Sequence, residues 1–169
     1  SQNQATPNIL DSLNLNQALK LAEKKAKEDN PEDAKRIYKD ILDKFPKNNQ
    51  AQQALANINK PPEEIFNKLI QLYNQGQLAA SVKQAHMILQ QYPDSFAVWD
   101  ILGIAASQTG DLDLSISAFS RVISLKPNYV DAHYNLGLVL QNKGKLEEAV
   151  EAYHKVIALE PEYADALNN

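Results

Sequence analysis

Residues 96–129 and 130–163 form two lines of 34 residues that register without a gap: FAVWDILGIAASQTGDLDLSISAFSRVISLKPNY and VDAHYNLGLVLQNKGKLEEAVEAYHKVIALEPEY. Leu102-Gly103 sits over Leu136-Gly137, Gly110 over Gly144, Leu112 over Leu146, Phe119 over Tyr153, Leu125 over Leu159 and Pro127 over Pro161. Copies of this length bury their apolar residues only by packing one on the next, so the period restricts the chain to a stacked array. Within a line, Trp99, Leu102 and Ala106, then Ile116, Phe119 and Ile123, recur at helical steps. Each copy therefore holds two amphipathic helices. Gly110 and Gly144 follow the first helix, where a left-handed cap suits glycine. Gly103 and Gly137 lie inside that helix, at a cost of roughly 1 kcal/mol against alanine. Their place predicts that a neighbouring helix approaches the backbone there. Pro127 and Pro161 end the second helix.

The same ruler extends toward the N-terminus. Residues 62–95 keep Ile65, Leu69, Leu72, Gly76, Leu78, Ala85 and Pro93 on register, with Leu69 where the later copies have glycine. Residues 15–48 form a degenerate first copy, with Ala18, Leu21, Ala22 and Lys25 on one stripe and Ala34, Tyr38 and Ile41 on the next. In it, Asp29 replaces the turn glycine, Pro31 can start the second helix, and Pro46 falls on the proline position. Residues 49–61 break the ruler with one short helix, carrying Ala51, Leu55 and Ile58 on one face, so 15–61 reads as a copy and a half. Residues 1–14 are expected to be a disordered tail. Residues 164–169 open a further copy and stop, as in a fragment of a longer protein.

The period, with leucine-glycine at positions 7–8, glycine at 15, an aromatic at 24 and proline at 32, resembles the tetratricopeptide repeat (TPR). The resemblance implies an all-α fold, a right-handed solenoid of helix–turn–helix units. It also implies a non-catalytic scaffold that binds a protein or peptide in a concave groove lined by the first helices. Carried over by position, the groove residues are Glu63, Phe66, Asn67, Ile70, Tyr73 and Asn74; then Ala97, Asp100, Ile101, Ile104, Ser107 and Gln108; then Asp131, Tyr134, Asn135, Leu138, Gln141 and Asn142. Apolar pockets would take side chains and amides would bond a peptide backbone. TPR domains that clamp a terminal carboxylate use lysine or arginine in the groove. Asp100, Ile104 and Asp131 stand at the matching positions, which argues against that class. Asn67, Asn135 and Asn169 share one position, interrupted by Ile101, similar to the asparagine ladder of O-linked N-acetylglucosamine transferases. The alternative is that these are solvated polar sites. The stretch from Lys60 to Gln77 followed by the repeats also resembles the N-terminal region of bacterial TPR proteins with a downstream sulfotransferase or glycosyltransferase domain. A regulatory or substrate-recognition region of such an enzyme is therefore the second reading.

Chemistry is sparse. The chain has no cysteine, which excludes disulfides and thiolate metal sites. His86 and His154 occupy one repeat position and His133 takes the place of Trp99, so a packing or surface role is expected for each. Trp99 itself is expected in the core. No nucleophile elbow, phosphate loop or ligand-spaced cluster occurs, so no catalytic residue, metal or cofactor is expected. Residues 1–60 carry 10 basic and 8 acidic side chains and residues 61–169 carry 7 and 13. The basic residues are interleaved with acids at helical spacing, unlike a one-sided nucleic-acid footprint. No apolar run reaches membrane-spanning length, and the opening SQNQATPNI has neither the basic nor the apolar region of a secretory leader. A cytoplasmic location is expected, with a processed periplasmic form as the alternative. The apolar residues of 146–159 should receive a following repeat. Self-association of this C-terminal end as a two-fold dimer is one expectation, and the stub folding back is the other.

Overall fold

The computed structural model describes residues 6–28 and 30–162. Among them are nine α-helices and no strand, in two units, Ser1–Lys60 and Pro61–Asn169.

In the first unit, α1 (Leu15–Lys27), α2 (Pro31–Lys44) and α3 (Asn49–Ile58) enclose Ala18, Leu19, Ala22, Ala34, Ile37, Tyr38, Ile41 and Ala51. Asn14, Asn30 and Asn48 start the three helices, each accepting a backbone N–H in the first turn. The expectation of a disordered tail over 1–14 does not hold for the described part. Ile9–Asp11 form a 3-10 turn capped by Asn8. Asn8 Nδ2 donates to the Asp40 carbonyl at 2.8 Å, the Ile9 N–H donates to Asp40 Oδ2 at 2.8 Å, and Lys44 pairs with Asp11 at 2.7 Å. Ile9, Leu10 and Leu13 pack on the core. The partners lie about thirty residues away, which a local pattern does not reveal. Asp29, expected in place of the turn glycine, lies outside the described residues.

The second unit is three helix pairs: α4 (Glu63–Asn74) with α5 (Leu78–Gln91), α6 (Phe96–Thr109) with α7 (Leu112–Leu125), and α8 (Val130–Asn142) with α9 (Leu146–Leu159). Each first helix ends the same way. Gly76, Gly110 and Gly144 have φ of 71°, 83° and 82°. The next N–H in each case reaches back five residues, from Gln77 to Leu72, Asp111 to Ala106 and Lys145 to Leu140, at 2.9–3.0 Å. This is the left-handed turn that side chains with a Cβ disfavour. Each second helix stops at the residue before a proline, whose ring pushes Tyr92, Lys126 and Glu160 out of the helical region to φ of −125°, −136° and −136°.

The proline carbonyls then receive a side-chain donor six residues on. Trp99 Nε1 donates to the Pro93 carbonyl at 2.8 Å, His133 Nε2 to Pro127 at 2.7 Å, and in the first unit Gln52 Nε2 to Pro46 at 2.6 Å. A carbonyl only accepts, so His133 carries its proton on Nε2. Trp99 is only partly buried, at the edge of the core, because its indole N–H serves this linker bond.

Packing inside each pair turns on two facing positions. A Cβ added at Gly103 would lie 2.8 Å from the Phe119 ring, and one at Gly137 would lie 2.5 Å from the Tyr153 ring. The rings rest directly on the backbone of the first helix, as the buried glycines predict. Ser115 Oγ donates to the Gly103 carbonyl at 2.7 Å beside this contact. In the 62–95 pair the sizes are exchanged. Leu69 stands at the glycine position and Ala85 at the ring position, and both are fully buried in one cluster.

This exchange predicts a coupled double mutant. Gly103→Leu alone should cost about 2 kcal/mol, because the new side chain collides with Phe119. Adding Phe119→Ala should recreate the Leu69/Ala85 arrangement. Urea denaturation should show the double variant more stable than the sum of the single effects by at least about 1 kcal/mol. Additive losses would contradict the exchange.

Candidate functional site

The first helices of the second unit approach one another from pair to pair, α4 to α6 and α6 to α8, while the second helices show no comparable approach. The first helices thus form the inner, tighter layer of the array. Gln108 Nε2 on α6 donates to the Tyr73 hydroxyl on α4 at 2.9 Å, across this layer.

None of the sequence-derived groove residues is buried. Phe66, Ile70, Tyr73, Asp100, Ile101, Ile104, Tyr134 and Asn135 are half-buried, and Glu63, Asn67, Asn74, Gln108, Asp131, Leu138, Gln141 and Asn142 are exposed. The core is built from other residues of the same helices, including Leu69, Val98, Leu102, Val139 and Leu140. The groove positions therefore carry aliphatic and aromatic groups that folding has not consumed. Two of the amides are engaged internally: Gln108 with Tyr73, and Gln141, which accepts from the Tyr153 hydroxyl at 3.0 Å. Asn67 and Asn135 make no hydrogen bond within the described residues. Asn169, the third asparagine at that position, lies outside them.

Asp100 on α6 and Asp131 on α8 lie close enough for their charges to act on each other. Asp100 Oδ1 is closed to solvent and has no hydrogen-bond partner. Loss of solvent, and then the charge of Asp131, lift the Asp100 carboxyl to a pKa of about 6. Tyr129, the N-cap residue of α8, joins them. Burial raises its hydroxyl pKa, and the charges of Asp100 and Asp131 add to the effect. Its ring meets Phe96 edge to face at 5.8 Å, and Lys126 Nζ lies 3.7 Å from the centre of the Phe96 ring. Reading by groove position misses Tyr129, which belongs to the linker. Its signal was an aromatic residue at the last place of the repeat.

His86 and His154 are exposed and His133 is buried against the linker. Among the described residues no three acidic or histidine side chains gather as a metal site, and no helix is long and apolar enough to cross a membrane. On α9, Leu146, Val150 and Ile157 are 61%, 51% and 41% exposed, while Ala149 and Val156 pack inward. The stub of a further repeat, 164–169, on which the expected closure or dimer depends, lies outside the described residues.

With this geometry in place, comparison with known proteins identifies the repeats. A family profile described as tetratricopeptide repeat matches residues 130–163, and one described as TPR repeat matches 107–144. The chain contains TPR repeats. Among solved structures, one titled crystal structure of MamA is 26% identical, with a TM-score of 0.52, covering 83% of this chain and 75% of that one. The O-GlcNAc transferase of Thermobaculum terrenum, as its K341M mutant, is 27% identical with a TM-score of 0.55, covering 60% of this chain and 19% of that one. The first TPR of Spaghetti (RPAP3), bound to the HSP90 peptide SRMEEVD, shares the fold at 19% identity and a TM-score of 0.55, covering 62% of this chain and 91% of that one. No curated protein matches the sequence. The fold is thus the all-α TPR solenoid.

The Asp100 environment makes a prediction with a definite sign. The folded chain holds this proton up to about pH 6, and the unfolded chain releases it near 3.8. The folded state binds more protons in that window, so stability falls as pH rises through it. Asp100→Asn removes the effect. Denaturant midpoints should show the variant more stable by about 1–2 kcal/mol near neutral pH, after discounting for partial exposure. The gain should shrink toward zero below about pH 4. A gain equal at both pH values would contradict the burial argument.

Proposed function

We propose that the chain is a non-catalytic, protein- or peptide-binding TPR scaffold whose ligand lies along α4, α6 and α8. The observation that carries this reading is the row of half-buried Phe66, Ile70, Ile101 and Ile104 beside the uncommitted amides of Asn67 and Asn135. Apolar surface left on the inner layer favours a partner at about 25 cal/mol per Å². Unpaired amides nearby can bond an extended backbone, as in other groove-bound peptides. The RPAP3 domain, of the same fold, is bound to a peptide, which supports this reading.

A second reading has one specific support. The likeness to the Thermobaculum terrenum O-GlcNAc transferase covers a small part of that enzyme. The chain would then be the substrate-recognition region of a larger transferase. Reading the coding sequence beyond Asn169 decides between the two: a transferase domain selects the second reading, and further repeats or a stop codon select the first.

The groove reading predicts that Asn67→Ala with Asn135→Ala weakens a bound extended peptide while the melting temperature barely moves. Each lost backbone bond is worth about 0.5–1.5 kcal/mol, or a few-fold to about tenfold in affinity. Calorimetric titration alongside thermal melts would check this. Unchanged binding in the double variant, together with loss in variants of the exposed faces of α5 and α7, would overturn it.

A further inference from the structure

The groove positions of α4, α6 and α8 include Glu63, Asp100 and Asp131 and no lysine, arginine or histidine. Nearby cations of the same unit are already engaged. Lys126 lies over Phe96, Arg121 pairs with Asp94, Lys143 with Asp113 and Lys145 with Glu148. Asp100 and Asp131 have no ion pair among the described residues. Their charges repel instead, and one oxygen of Asp100 is shut from water without a donor among the described residues. A buried acceptor left unmatched is costly, more so when it is charged.

We propose that the groove takes an extended protein segment bearing a lysine or arginine, whose cationic head is held by Asp100 and Asp131 while its apolar neighbours lie along Phe66, Ile70, Ile101 and Ile104. This rests on the groove reading above and adds the chemistry of the ligand. An ammonium or guanidinium held at the two carboxylates cancels the repulsion between them. The Tyr129 hydroxyl stands beside them as a further acceptor. Residues 61–169 carry a balance of −6, which attracts a basic segment and repels a nucleic acid. A ligand led by a terminal carboxylate meets two like charges here and is excluded.

The test uses the whole chain and three capped decapeptides of alternating leucine and serine, with lysine, norleucine or glutamate at one central place. Fluorescence anisotropy should show the lysine peptide binding about tenfold more tightly than the norleucine peptide, and the glutamate peptide most weakly. Asp100→Asn with Asp131→Asn should bring the lysine and norleucine peptides to equal affinity. Asp131→Lys should favour glutamate over lysine. Asp131→Asn alone, at an exposed site, should halve the preference or more and serves if the double variant fails to fold. Ile104→Ser should weaken all three peptides alike, which reports on the groove separately. Equal binding of lysine and norleucine peptides by the wild-type chain, or a lysine preference that survives loss of both carboxylates, overturns the cation site. If Ile104→Ser still weakens every peptide, the groove reading stands without it. If Ile104→Ser changes nothing, the groove reading falls and the proposal with it.

Discussion

The distance between the two helices of each pair is set by one contact, and the array is built outward from it. A ring on the second helix rests on a glycine backbone of the first at Gly103/Phe119 and Gly137/Tyr153. Leu69/Ala85 fills the same space from the other side. Interiors are close-packed, so either a void or a second large group at this point is felt at once. The trade of volume keeps the separation workable in all three pairs with different residues. In the first unit Ala22 and Tyr38 hold the same two positions, both buried. That copy lacks the glycine yet retains the small-against-large scheme.

Given that separation, the linkers need only deliver each helix in the right direction. They do so with local devices. A left-handed glycine closes the first helix, a proline closes the second, and a side-chain donor six residues later ties the proline carbonyl. The donor can be an indole, an imidazole or an amide because the requirement is one N–H at one distance. This explains how Trp99 and His133 share a repeat position despite different chemistry. It also accounts for one ring nitrogen of His133, since its Nε2 is committed to a carbonyl.

Such local devices are what the sequence makes legible. Period, glycine and proline place each helix without reference to anything distant, and a glycine inside a helical stripe is itself the mark of a close approach. The docked 3-10 turn was illegible for the opposite reason. Its apolar residues are too few for a helical pattern, and Asp40 and Lys44, which hold it, are remote in sequence. The candidate groove was legible only as a set of positions. Which of its amides are spent was not, because the Gln108 bond to Tyr73 depends on how closely α4 and α6 approach. The state of Asp100 was equally hidden, since its burial and the nearby charge of Asp131, remote in sequence, arise only in the folded array.

The contrast between His133 and Asp100 carries the argument about function one step further. Both stand near the start of a first helix, and both are polar groups drawn from water by the next layer. His133 is answered from its own linker, six residues away. Asp100 Oδ1 finds no donor among the described residues, and the charge that acts on the group is that of another carboxylate. Ser81 and Asn59 also hold unmatched buried oxygens, but these are neutral and cost less to leave so. A fold that satisfies its linkers so regularly gains no stability from an opposed pair of carboxylates on its inner layer. Asp100 is half-buried and is not among the buried residues that build the core. A cost that folding does not require is the kind of strain a binding site stores, to be relieved when a group of opposite charge arrives.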